Sequence, residues 1–131
     1  MKIAVYGPEF NERSRSAIVA LFDYLGNKSA EVFVDAHFYN SILEHSSINI
    51  EAYALGTFTA LDGSYDLMIS VGGDGTILRA ITHVKDLDIP IVGINTGRLG
   101  FLATIKRDDI IGALDQILKG NTAYRNAVFY R

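Results

Sequence analysis

Apolar and polar positions along this chain alternate between two rhythms, short unbroken apolar runs and longer stretches with helical spacing. Residues 2–7 (KIAVYG) form a β-branched apolar run closed by Gly7-Pro8, which predicts a buried strand entering a turn. Ala17, Ile18, Leu21, Phe22 and Leu25 then recur at helical spacing, and Gly26-Asn27 supplies a stop. Residues 30–34 (AEVFV) predict a second strand, and residues 35–44 a short helix of weaker periodicity. Between 46 and 63 the pattern is mixed, and a strand is expected within 48–55. Residues 66–71 (DLMISV) are apolar except for Asp66 and Ser70, as in a central strand covered on both faces. Helical spacing resumes at Ile77, Leu78, Ile81 and Val84, for a helix starting near Thr76. Residues 90–94 (PIVGI) read as another buried strand. Ile110, Ile111, Leu114, Ile117 and Leu118 mark a last helix, with Asp108 and Asp109 suited to its positive N-terminus and Gly120 to its C-cap.

Strands alternating with helices across short connections predict an α/β fold. The expected form is a doubly wound, mostly parallel sheet with flanking helices, of the Rossmann or flavodoxin type. Residues 123–131 (AYRNAVFYR) break this pattern: they alternate like the start of an antiparallel strand for which the chain offers no partner. The expected division is therefore an α/β domain over 1–122 and the start of a truncated β-rich second domain over 123–131, with Tyr124, Phe129 and Tyr130 packing that second part.

Composition narrows the partners. The 131 residues are 49% hydrophobic and 21% charged, with a net charge of -3, as in a globular domain without a basic stripe for nucleic acid. No apolar run is long enough to span a bilayer and no secretory signal is visible, so a cytoplasmic setting without membrane contact is expected. The chain has no cysteine, which removes disulfides, thiol nucleophiles and thiolate metal sites. His37, His45 and His83 have no metal-ligand spacing, so no zinc site is expected.

Chemistry concentrates where the central strand ends, at residues 72–76 (GGDGT). Adjacent glycines let a ligand approach the backbone, and a following helix N-terminus presents N–H groups and a positive dipole end to phosphate oxygens. Such a loop explains a nucleotide but leaves Asp74 in need of a role. Among phosphates a carboxylate faces a metal ion, a sugar hydroxyl, or a proton to be accepted in the reaction. The plainer reading is a turn dipeptide whose Asp caps the helix. The run is neither a Walker A loop nor a GxGxxG fingerprint, so hydride transfer is not indicated. A second glycine-rich loop, residues 95–100 (NTGRLG), follows the next strand and suggests that both loops serve one site.

Together, GGDGT at 72–76 and NTGRLGFL at 95–102 resemble the paired signature of NAD kinases, and the resemblance extends through the chain in strand order and spacing. GGDGT alone is shared with diacylglycerol and sphingosine kinases, but their Pro-x-Gly-Thr-x-Asn-Asp pattern is absent. The resemblance implies ATP-dependent phosphorylation of the adenosine ribose 2′-hydroxyl of NAD, yielding NADP, with a divalent ion such as magnesium. It makes Asp74 the proton acceptor and places Gly73, Asp74, Gly75, Thr76 and Arg79 against the nucleotide. Phe101 corresponds to an aromatic beside the adenine pocket, with core packing as its plainer role. Asn95, Thr96 and Gly97 shape the second loop, either for ligand or merely as turn residues, and Arg98 is a phosphate partner by charge only. The family implies a homo-oligomer and a second domain with an Asn-Glu or Asn-Asp motif, absent here, so the chain alone is not expected to be competent. The rivals are a diacylglycerol-type lipid kinase and a non-catalytic nucleotide-binding regulatory module.

Overall fold

Apolar strands buried on both faces and separated by amphipathic helices have one simple solution, a parallel sheet with helices laid over it. A computed structural model of the chain describes residues 1–97, 100, 102, 104–120 and the backbone of 129–130, and it has this form. In chain order the elements are β1 (Lys2–Tyr6), α1 (Arg15–Gly26), β2 (Glu31–Asp35), α2 (Ala36–His45), β3 (Gly56–Phe58), β4 (Leu67–Gly72), α3 (Asp74–Val84), β5 (Ile91–Asn95), β6 (Ile105–Lys106), α4 (Ile110–Leu118) and β7 (Phe129–Tyr130). The sheet order is β3-β2-β1-β4-β5-β6, every pair on this path is parallel, and β7 adds to β5 antiparallel. This is the doubly wound α/β fold expected, in the strand order of dinucleotide-binding sheets. The order reverses between β1 and β4, which opens a crevice at the carboxyl ends of these strands.

Alternation along the strands divides the core in two. Ile3, Val5, Val34, Ile69, Val92 and Ile94 face the side covered by α1, α2 and α4, where Leu21, Phe22, Phe38, Ile42 and Leu114 meet them. Ala4, Tyr6, Met68 and Ile91 face the other side, under Ala80 and Val84 of α3 and beside Phe58 and Tyr65. The first layer is bracketed at its rim: the Tyr24 hydroxyl donates to Asp115 Oδ1 at 2.6 Å, and Lys28 Nζ lies 3.8 Å from the same oxygen. Burial, with the Asp115 bond second, pushes the Tyr24 phenol up, while that bond holds Asp115 below the usual carboxylate range. Among the described residues no helix is long and apolar enough to cross a membrane.

Three sequence expectations need correction. Residues 48–55 hold no strand; a single 3-10 turn at Ile50–Ala52 inserts the fully buried Ile50 into the core, and the edge strand comes later, at Gly56–Phe58. Its Gly56 lies against the Phe33 ring, where an added Cβ would sit 2.7 Å from Cε2, so the strand begins where a side chain is absent. Helix α3 starts at Asp74 rather than near Thr76, because Gly73 takes an extended N-cap conformation and its carbonyl already accepts Thr76 N–H and Ile77 N–H at 3.1 and 3.3 Å. The tail has a partner after all: Phe129 pairs with Val92 and Tyr130 with Ile91 of β5. The two-residue β6, too short to show a period, was not predicted. Tyr124 lies outside the described residues.

Candidate active site

Both glycine loops leave the carboxyl ends of neighbouring central strands, and the ladder itself sets them side by side. Gly72, the last residue of β4, is in register with Asn95, the last residue of β5. One step on, Thr96 N–H donates to the Gly72 carbonyl at 3.2 Å, so the loops are stitched at their roots. Asn95 Oδ1 accepts from Gly97 N–H at 2.8 Å, which is the local turn role expected of an Asn before Gly.

Asp74 is the first residue of α3, partly exposed, and its carboxylate points to the second loop: Leu102 N–H donates to Oδ1 at 3.3 Å. The glycines around it divide into two kinds. Gly72, at φ 157°, has the Thr76 side chain where its own Cβ would stand, and the hydroxyl and methyl of Thr76 are thereby turned inward, 3% exposed. Gly73, Gly75 and Gly97 have nothing within 4 Å of an added Cβ among the described residues. The packing of the described residues therefore requires Gly72 to be small and leaves open space beside the other three. Gly73 carries no side chain to cap α3.

Of the residues singled out in the sequence, the structure brings together Gly73, Asp74, Gly75, Asn95, Thr96 and Gly97. Thr76 joins them as packing beneath the loop. Arg79 is exposed on α3, five residues on from Asp74 and so about 140° around a helix of 3.6 residues per turn. Arg98 and Phe101 lie outside the described residues. Asp108 and Asp109 are exposed in a 3-10 turn leading into α4, as their helix-start reading implies.

Sequence reading passed over a cleft of about 540 Å3 beside the second loop, lined by Asn95, Thr96, Gly97, Leu102, Thr104, Lys106, Arg107 and Asp108. Its size is in the range of small-molecule sites. Lys106 and Arg107 give it two cations, a pair legible only as an adjacent Lys-Arg between the second loop and the last helix. Among the described residues there is no cluster of three His, Asp or Glu side chains that could hold a metal ion.

Comparison with known proteins bears on the family. The sequence pattern of the ATP-NAD kinase N-terminal domain matches residues 10–122. A protein from Christiangramia forsetii described as NAD kinase is 41% identical over 119 residues, covering 91% of this chain and 40% of the relative. The NAD kinase of Flavobacterium psychrophilum is 43% identical over 120 residues, and that of Flavobacterium johnsoniae 35% over 121. The chain spans about 40% of the length of the curated relatives it matches. On the strength of the matched segment and of the doubly wound sheet that carries it, the chain belongs to the ATP-NAD kinase N-terminal domain family.

Proposed function

We propose that this chain forms the nucleotide-facing wall of an enzyme that phosphorylates the adenosine ribose 2′-hydroxyl of NAD with ATP, giving NADP. The observation that carries the reading is the seating of the Asp74 carboxylate at the start of α3 between two stitched glycine loops. The open space beside Gly73, Gly75 and Gly97 supports it, since among the described residues no atom occupies the positions that side chains there would take. In the reaction the ribose oxygen bonds to the γ-phosphorus, the bond from that phosphorus to the bridging oxygen breaks, ADP leaves, and the hydroxyl proton passes to Asp74. A divalent ion such as magnesium, implied by the family, would offset the charge of the triphosphate. Backbone N–H groups at the start of α3 suit the phosphates, and Lys106 and Arg107 bring positive charge to the adjoining cleft. Arg79 and Phe101 are carried over from the family as nucleotide contacts, as are a homo-oligomeric assembly and a second domain entered at 123–131; Arg98 is a phosphate partner by charge only, and a cytoplasmic setting is kept from the sequence.

The test measures NADP formation from NAD and ATP by a polypeptide of the relatives' full length that carries this chain. Asp74→Asn keeps the shape and removes the proton acceptor, so kcat is expected to fall by about 100-fold or more, in the range that general base catalysis contributes. Normal turnover by that variant overturns the base assignment. Phosphorylation of diacylglycerol without NADP formation replaces the substrate reading with a lipid kinase, and NAD binding without turnover makes the protein a regulatory module.

A further inference from the structure

The carboxylate of Asp74 is held from the side by a residue that none of the chemistry above uses. An ideal Cβ on Gly100 would stand 2.5 Å from Asp74 Cγ and 2.6 Å from its Oδ2, with Oδ1 also in contact. The whole carboxylate therefore lies against the bare Cα of Gly100. Two residues on, Leu102 N–H reaches Oδ1 at 3.3 Å. A flat surface and a directional donor from one short segment thus fix both the position and the rotation of one side chain. The segment is anchored in turn, because Thr96 N–H binds the Gly72 carbonyl at the root of the Asp74 loop.

The geometry points to Gly100 as a positioning residue for Asp74: glycine is required there because any side chain would occupy the seat of the carboxylate. This rests on the reading of Asp74 as the proton acceptor. The requirement is one of space, since the carboxylate atoms of Asp74 stand where a Cβ at position 100 would be. It also differs from the requirement at Gly72, where the obstructing atoms belong to the buried Thr76 within the fold. Asp74 is partly exposed and turns on only two side-chain torsions. The least costly response to a methyl group at 100 is therefore rotation of the carboxylate away from Leu102 N–H, with the fold left intact. A base displaced by about 1 Å loses on the order of 100-fold in rate, while the glycine backbone and the other residues facing the nucleotide keep their places.

The test is Gly100→Ala in the full-length polypeptide, read by kinetics and by the amide resonance of Leu102. The expected result is a kcat lowered about 100-fold with the KM for NAD within about threefold, the pattern of a lost transition-state interaction. The Leu102 amide proton should move upfield, as it should in Asp74→Ala with Gly100 retained, because both changes break the same hydrogen bond. A kcat within threefold of the original, a loss carried by KM, or an unmoved Leu102 amide each overturns the inference. If the original protein makes no NADP, the kinase reading fails by itself and the amide resonance still decides the seat. Should Gly100→Ala not fold, the double variant Asp74→Ala/Gly100→Ala, which vacates the space the methyl needs, is expected to fold. Failure of that variant overturns the inference too.

Discussion

Gly93 lies at the centre of the molecule, and replacing it with alanine tests how closely the sheet supports the site. It is buried in β5, level with Ser70 of β4, and faces the first turns of α3. An added Cβ would stand 2.5 Å from Ile77 Cδ1, 3.0 Å from Ile77 Cγ1 and 3.2 Å from Thr104 Cγ2. Carbon atoms pack at about 3.5–4.0 Å, so the end of Ile77 would have to move by roughly 1 Å. Ile77 is 1% exposed and cannot swing into solvent, which leaves displacement of α3 or an off-rotamer side chain. Overpacking of this kind costs about 1–3 kcal/mol, and the lower chain entropy of Ala over Gly in the unfolded state returns about 0.4–1 kcal/mol. The expected net loss is about 1–2 kcal/mol, or a fall of roughly 4–8 °C in Tm for a domain of this size. Urea unfolding of Gly93→Ala measures it, and Ile77→Val supplies the control by deleting the obstructing Cδ1. Alone, Ile77→Val should cost about 0.5–1.5 kcal/mol; in the Gly93→Ala background it should cost nothing or restore stability. Additive losses in the double variant would refute the steric account. So would an unchanged Gly93→Ala.

Two further outcomes follow from groups buried or bonded in the sheet and its helices. Ser70, 1% exposed in β4, has no hydrogen-bond partner for its hydroxyl among the described residues, so Ser70→Ala is expected to raise stability by about 1 kcal/mol in urea unfolding; a clear loss would show that the hydroxyl is bonded. Tyr53 donates to Asp23 Oδ1 at 2.6 Å, and that bond first, then burial, pushes its phenol up to about 12 from 10.0. The folded chain thus keeps this proton after the unfolded chain has lost it, so the contribution is full below pH 10 and is lost as pH rises to about 12. Stability measured across that window should fall less steeply in Tyr53→Phe than in the original chain, and equal slopes would exclude the Tyr53 bond as the cause.

The order of elements was legible because periodicity reports burial directly. The apolar runs at 2–7, 66–71 and 90–94 can be hidden only between two layers, and the helical spacing from Ala17 to Leu25 can be hidden only on one side. GGDGT was legible as a loop because its glycines follow a buried run and precede a helical one. Where local pattern and burial part company, reading failed. Ile48 and Ile50 have the spacing of a strand, yet a turn buries Ile50 just as well. The β6 and β7 pairs are two residues each, and pairing at that length is decided by a neighbouring strand edge and not by any signal of the pair's own.

The sequence by itself determined the α/β layering, the position of Asp74 at a strand-to-helix turn, and the family, because each depends on residue types at short separations. Only the tertiary structure decided what the glycines are for. Gly72 and Gly100 look like Gly73, Gly75 and Gly97 in the chain, and all could be turn residues. Yet Gly72 is filled by Thr76 and Gly100 by the carboxylate of Asp74, 26 positions away, while the other three face open space among the described residues. The difference lies in which atoms occupy the volume of an absent side chain. For Gly72 the turn into α3 sets that volume, and for Gly100 the folding that brings the loop after β5 against the start of α3.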